Sequence, residues 1–251
     1  EELLSDARSR VEGPLLGDSG AVRLLREAIA KEAPRGEPLL LVGPPGAGKE
    51  AVAHAVHAAS HRPGAFIFVS CPETHTASRF ATSEVPDAGV GAETSSEARF
   101  LGSKFDLAAG GTLFLDAVHE LPVECYPLLE AILRGERATA DVRVIASTTQ
   151  SVGRSGQHSR LDSLLRTLSR GRIAVPALAD RREDIPAIVG HFVHRLARQL
   201  GKTVTGVSPE SMTRLEAYLW PGNIRELRTV LERAIMTTRS SVLEIDEDLL
   251  D

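Results

Sequence analysis

Residues 43–50, GPPGAGKE, form a glycine-rich segment between an apolar stretch, PLLLVG, and a helical pattern, EAVAHAVHAAS. In such a strand-turn-helix context, backbone N–H groups wrap a phosphate and the helix N-terminus adds its dipole. Lys49 is then placed to reach the β- and γ-phosphates of a nucleotide. The segment therefore predicts a phosphate-binding P-loop, with the contributing residues Gly43, Pro44, Pro45, Gly46, Ala47, Gly48, Lys49, Glu50 and Ala51.

A carboxylate ends the apolar stretch TLFLDA of residues 112–117. Asp116 has the position from which an aspartate orients Mg²⁺ through water. A nucleotide hydrolase needs an acid at the next position, but Ala117 neither accepts a proton nor positions water, so a general base worth about 10²–10⁴-fold in rate is missing there. Glu120 supplies the missing carboxylate only if the turn after residue 117 folds back. Glu50 stands where a Ser or Thr usually holds Mg²⁺.

These groups need a sheet to position them. Apolar, β-rich stretches at 38–43, 65–71, 111–117, 142–148 and 172–178 alternate with helix-length segments. This alternation predicts an α/β fold whose parallel sheet is covered on both faces. After Pro176 only helical patterns follow, from about 182 to 200, 209 to 218 and 223 to 238. We expect an α/β core at 1–176 and a small helical domain at 177–251.

Composition narrows the class of protein. The 251 residues carry a net charge of −5, which argues against a surface built to hold nucleic acid. Two separated cysteines, Cys71 and Cys125, offer neither a disulfide framework nor a zinc site. We interpret the three histidines of 54–61 as one face of a helix, and not as a metal site. No apolar stretch approaches the roughly 18 residues of a spanning helix, so we expect a soluble cytoplasmic protein without membrane contact. The chain begins without Met, so we expect a fragment with flanking domains.

The segment 72–103 is polar, rich in Ser, Thr and Glu, and without a clear period. Such a segment is typical of a functional or disordered loop.

Four segments together resemble the AAA+ domain of NtrC-like bacterial enhancer-binding proteins, the sigma-54 activators: GPPGAGKEAVAHAVHAAS, AAGGTLFLDAVHELP, VPALADRREDIPAIVGHF and YLWPGNIRELRTVLERAI. The resemblance covers nearly the whole chain. It implies an AAA+ P-loop NTPase core with a helical lid, ATP and Mg²⁺ as ligands, and rings that remodel sigma-54 RNA polymerase. The family also has Glu after the P-loop Lys, as Glu50 is here.

The resemblance assigns further residues. In WPGNIREL, Arg225 takes the sensor II position beside the nucleotide, with Asn223 as helix N-cap. An ion pair of Arg225 with Glu226 or Glu232 is the alternative.

The segment SRLDSLLR resembles the family's arginine-finger segment. Arg160 and Arg166 then act on the nucleotide of a neighbouring subunit. Arg170 and Arg172 are the alternatives.

Other positions depart from the family pattern. Ala117 replaces the catalytic Glu, Ser70 replaces the Asn that restrains that Glu, and Thr149 replaces the sensor I Asn. Glu93 replaces the aromatic residue of the loop that contacts sigma-54, which argues against the ordinary contact.

These departures predict a degenerate domain that binds ATP or ADP and hydrolyses it weakly or not at all. It self-associates into a ring or dimer, acts on RNA polymerase or regulator subunits, and reaches DNA only through a domain outside this chain. The alternatives are an active ATPase that uses Glu120 and a rewired loop, or a scaffold or signalling-nucleotide regulator.

Overall fold

The computed structural model of the protein describes residues 15–74, 95–136, 141–149 and 159–250. Their contacts divide the chain into two compact units. The described parts of 28–42 and 52–174 form the first unit, and the described parts of 12–27, 43–51 and 175–251 form the second. The P-loop therefore belongs to the same unit as the C-terminal helices.

The first unit is built on a five-stranded sheet in which every pairing is parallel. The strands are β1 Leu39–Val42, β2 Phe66–Ser70, β3 Thr112–Asp116, β4 Arg143–Thr148 and β5 Gly171–Ala174. Their order in the sheet is β2-β3-β4-β1-β5. In register, Ser70 pairs with Asp116 and Val42 pairs with Thr148, so the carboxyl ends of β1 to β4 share one edge. This parallel sheet confirms the predicted fold class.

Helices α1 (Gly20–Glu32) and α2 (Lys49–Ala59) run from the second unit into the first. Helices α3 (Ser96–Leu107), α4 (Tyr126–Leu133) and α5 (Ser159–Leu168) lie wholly in the first unit. Apolar side chains of the strands and of these three helices form one buried core, which includes Leu113, Leu115, Leu101, Leu129 and Leu164. Burial of these stretches explains why the strands are apolar without alternation.

A helix occupies part of the segment that the sequence predicted to be irregular. Helix α3 begins at Ser96, because the Ser95 side chain accepts a hydrogen bond from the backbone N–H of Ala98 and caps its N-terminus. Leu101 and Phe105 are buried four residues apart on one face. The prediction of irregular structure is therefore wrong from residue 96 onward, whereas residues 75–94, including Glu93, lie outside the described residues.

Arg143 is almost completely buried in the first unit. Its guanidinium donates to the carbonyl oxygens of Glu32 at 2.7 Å, Ala33 at 2.6 Å and Glu37 at 3.3 Å. These carbonyls follow the end of α1, where backbone acceptors lack helical partners. Arg143 therefore ties the end of α1 to the start of β4.

The second unit contains three further helices, which agree with the predicted helical lid. They are α6 (Ile185–Gln199), α7 (Pro209–Ala217) and α8 (Asn223–Thr237). Helix α6 begins three residues later than predicted, because residues up to Asp184 form a 3₁₀ segment. Two strands of two residues, β6 (Gly206–Val207) and β7 (Val242–Leu243), pair in parallel, which the sequence did not predict.

Within the described ranges, none of the helices has both the length and the apolar character that crossing a membrane requires.

Candidate functional site

The P-loop has the backbone of a phosphate-binding turn. It follows β1 directly, and α2 begins at Lys49. Gly46 and Gly48 have φ of 71° and 95°, values that L side chains rarely adopt. A Cβ atom at Gly46 would also lie 2.2 Å from the carbonyl oxygen of Gly222. Glycine is therefore required at residue 46 by both conformation and space.

Lys49 is held over this turn. Its Nζ donates to the carbonyl oxygens of Gly43 at 3.0 Å and Pro44 at 2.8 Å, and only 8% of the residue is exposed. The turn places this ammonium beside the N-terminal N–H groups of α2, and both kinds of group bind phosphate.

Asn223 joins the P-loop to α8. Its Nδ2 donates to the carbonyl oxygen of Pro45 at 2.9 Å, and its Oδ1 accepts from the backbone N–H of Leu178 at 2.8 Å. The N–H of Ile224 donates to the carbonyl oxygen of Gly46 at 3.0 Å. The prediction that Asn223 caps α8 is wrong: Gly222 has the cap position, and the Asn223 side chain serves these more distant partners.

We expect Asn223→Ala to destabilise the protein by about 3 kcal/mol, because the buried Leu178 N–H loses its acceptor and the left-handed φ of 55° suits Asn better than Ala. Nucleotide affinity should fall as well, since Pro45 loses its donor. Urea denaturation and calorimetry measure the two effects. The control is Thr237→Ala, an exposed hydroxyl on the same helix, expected to change stability by less than about 0.5 kcal/mol. A similarly small change for Asn223→Ala would contradict the prediction.

Arg225 lies exposed in the first turn of α8. It lines an open groove of about 380 Å³ in the second unit. Glu226 accepts instead from the N–H of Gly222 at 2.7 Å, and among the described ion pairs none joins Arg225 to Glu226 or Glu232. Arg225 thus lines the same groove as Pro45 of the P-loop, and the complete lining is Pro45, Gly222, Arg225, Glu226, Thr229, Val230, Arg233, Leu249 and Leu250.

Two buried charged residues, Arg181 and Asp184, support the P-loop unit, and the sequence did not predict them. The Arg181 Nη2 donates to the carbonyl oxygen of Ala47 at 2.9 Å. Asp184 accepts from the N–H groups of Asp18 at 2.8 Å and Ser19 at 2.9 Å. Burial lowers the pKa of the Arg181 guanidinium, an effect that Asp184 opposes. The charge-rich segment DRRED was the available signal, although a charged run usually indicates a solvated surface.

Asp116 lies in the first unit, at the end of β3. Its Oδ1 accepts a hydrogen bond of 2.5 Å from the Ser147 hydroxyl, which itself accepts from the N–H of Ala117 at 2.9 Å. Ala117 has a left-handed backbone, with φ of 55°. Glu120 is exposed in the next turn, with its Oε1 3.5 Å from Nε2 of His119.

Thr149 and Ser70 keep their predicted places at strand ends. Thr149 follows β4, and its hydroxyl lies 3.4 Å from Nε2 of His119. Ser70 is the last residue of β2 and pairs in register with Asp116. The sheet therefore aligns Ser70 with Asp116, although these strands are 46 residues apart between their last residues.

Mg²⁺ is compatible with the donor at this edge. A carboxylate oxygen is the type of ligand that Mg²⁺ prefers, and Mg²⁺ commonly combines one or two carboxylates with substrate phosphates. No cluster of three or more His, Cys, Asp or Glu that could hold a metal occurs in the described part of the chain. A divalent ion at Asp116 would therefore take water or phosphate oxygens as its further ligands.

The two predicted arginine fingers lie on α5, in the first unit. Arg160 forms a bidentate ion pair with Glu130 of α4, at 3.1 and 3.2 Å, which lowers the pKa of the Glu130 carboxyl. Arg166 is exposed six residues later. Both are accessible on the surface of this unit.

Comparisons with known proteins agree with this geometry. Residues 15–173 match the Sigma-54 interaction domain, and residues 179–249 match the AAA+ ATPase lid domain. The transcriptional regulatory protein ZraR of Escherichia coli O157:H7 is 37% identical over 88% of this chain and 52% of its own.

Two crystal structures of NtrX from Brucella abortus, in complex with ATP and with ADP, both superpose with a TM-score of 0.74. They are 33% and 32% identical, and cover 99% and 100% of this chain and 57% of NtrX. The chain thus spans little more than half the length of these relatives. Because the first family match alone covers more than half of the chain, the protein belongs to the Sigma-54 interaction domain family, with an AAA+ lid domain after it.

Proposed function

We propose that the chain is the nucleotide-binding AAA+ domain of a bacterial transcriptional regulator, with ATP or ADP and Mg²⁺ as ligands. The observation that carries the proposal is the P-loop with Lys49 held over its carbonyls by bonds of 3.0 and 2.8 Å. The ATP and ADP complexes of NtrX, which shares the fold at about one-third identity, support the choice of ligand. In this proposal Arg225 contacts the nucleotide and Asp116 orients Mg²⁺ through water. The core spans 1–176 and the lid spans 177–251.

Hydrolysis is weak or absent in this proposal. Ala117 provides no carboxylate, and its N–H is bonded to Ser147. The neighbouring strand ends carry Ser70 and Thr149, and neither residue has a side-chain amide. The nucleotide then acts as a ligand whose binding energy favours one assembly state over another.

The proposed partners follow from the family. Arg160 and Arg166 are exposed and available to a neighbouring copy in a ring or dimer. RNA polymerase or regulator subunits are the proposed targets, without the ordinary sigma-54 loop contact because Glu93 is charged, and DNA is reached through a domain outside this chain. We place the protein in the cytoplasm, in keeping with its two free, buried cysteines.

Calorimetric titration with ADP and ATP in Mg²⁺ tests nucleotide binding. Turnover is measured in parallel with a family member that has Glu at the position of Ala117. We expect saturable binding of both nucleotides and turnover roughly 100-fold or more below that of this reference. Absence of binding would exclude a nucleotide-binding role. Binding with turnover within about tenfold of the reference would keep that role but exclude weak hydrolysis.

A further inference from the structure

One hydroxyl group connects the ends of β3 and β4. Ser147, in β4, is completely buried. It bonds both to the carboxylate of Asp116, at 2.5 Å, and to the N–H of Ala117, at 2.9 Å. The same side chain thus contacts the predicted metal-orienting group and the residue after it.

The direction of both hydrogen bonds follows from the number of hydrogens. A serine hydroxyl has one hydrogen to donate and two lone pairs to accept with. The Ala117 N–H is only a donor, so it takes a lone pair of the Ser147 oxygen. The hydroxyl hydrogen is then directed at Oδ1 of Asp116, in a bond to a charged acceptor, which is stronger than one between neutral groups.

The backbone at Ala117 depends on the same contact. Its φ of 55° and ψ of 51° are left-handed and cost a non-glycine residue about 1 kcal/mol or more. The bond from its N–H to Ser147 helps to hold this conformation. Ser147 therefore fixes both the rotamer of the carboxylate and the course of the chain directly after it.

We propose that Ser147 is the positioning residue of the Asp116 carboxylate and sets how strongly a divalent cation strengthens nucleotide binding. This inference rests on the proposed function, in which Mg²⁺ binds with the nucleotide. Ser147 acts through the orientation of Asp116, because its hydroxyl is completely buried and donates to Oδ1 of that carboxylate. Removal of the partners that orient the groups around a bound metal commonly changes metal affinity 10–100-fold.

The variant Ser147→Ala is expected to fold, because other contacts join the two strands. Strands β3 and β4 pair in register from Thr112 to Leu115. His119, after β3, also lies 3.3 Å from the hydroxyl of Thr148 in β4.

The test measures ADP affinity by calorimetry, in EDTA and again in excess Mg²⁺. The ratio of the two dissociation constants reports the contribution of the metal. For Ser147→Ala we expect this ratio to fall roughly tenfold, with ADP affinity in EDTA unchanged within about twofold. The variant Ser147→Thr keeps the hydroxyl, so its ratio should equal that of the parent protein. The control Ser169→Ala removes a hydroxyl that donates to the carbonyl oxygen of Leu165, and it should leave the ratio unchanged.

A ratio unchanged in Ser147→Ala would overturn the inference while leaving nucleotide binding intact. Equal weakening in EDTA and in Mg²⁺ would also overturn it, because that result indicates a general structural role. Absence of ADP binding by the parent protein would instead exclude the proposed function, and the inference with it. If Ser147→Ala does not fold, Ser147→Cys keeps the shape of the side chain, at a slightly larger volume, with a weaker donor, and should also lower the ratio.

Discussion

The variant Lys49→Ala is expected to abolish the rise in melting temperature that ADP or ATP causes in the parent protein. At a ligand concentration of 100 Kd, binding stabilises a protein by about 2.7 kcal/mol, which corresponds to roughly 5 to 10 °C for a domain of this size. Lys49 is the buried cation of the P-loop, and its Nζ lies above the turn that receives the phosphates. Without it the turn keeps its N–H groups but loses the charge that offsets the phosphates.

Thermal unfolding with and without nucleotide measures this effect. The control is Lys31→Ala, which removes an exposed lysine at the end of α1 and should leave the shift intact. The melting temperature of each variant without nucleotide separates lost binding from lost stability. A shift that persists in folded Lys49→Ala would show that the phosphates bind elsewhere.

The second prediction concerns turnover. The single change Ala117→Glu is expected to raise ATP hydrolysis less than tenfold, whereas the triple change Ala117→Glu, Ser70→Asn, Thr149→Asn should raise it by about 10²-fold or more. In the family that the chain resembles, Asn stands at the positions of Ser70 and Thr149, and the single change supplies the carboxylate without these side-chain amides. Ser70 pairs in register with Asp116, and Thr149 follows β4, so both amides would be added at the sheet edge that carries residue 117.

Steady-state phosphate release checks this prediction at saturating ATP. The triple variant with Lys49→Ala added is the matched control, because it keeps all three changes and should lose turnover. Full turnover from Ala117→Glu alone would show that Ser70 and Thr149 are irrelevant. No gain in the triple variant would show that the missing carboxylate is not what limits the reaction.

The local elements followed from the sequence because their signals are short-range. Five apolar stretches between helical patterns predicted the parallel sheet, and each strand was found within a few residues of its prediction. Helix α3 was missed because its burial depends on four apolar residues within a mostly polar sequence. The paired strands β6 and β7 were missed because two residues carry no periodic signal.

In the candidate site, the positions of the elements were predicted, but the long-range partners of the side chains were not. The glycine-rich turn between β1 and α2, and Asp116 at the end of β3, lie where the sequence predicted them, since motif spacing and strand ends are properties of nearby residues. The role of Asn223 was not: it was predicted to cap its own helix, but it bonds Pro45, which is 178 residues away. Ser147 and Asp116 are 31 residues apart, and Arg181 and Ala47 are 134 apart, so no local pattern indicated either contact.

The sequence by itself determined the side chains available to this protein: a lysine in a glycine-rich turn, an aspartate at a strand end, and an alanine directly after that aspartate. Only the tertiary structure decided which groups form hydrogen bonds and ion pairs with these and other polar residues. Ser147 orients Asp116, Asn223 binds the P-loop, and Arg160 is paired with Glu130. The physical reason is that backbone conformation follows from neighbouring residues, whereas the partner of a polar side chain depends on which distant segments the folded chain brings into hydrogen-bonding distance.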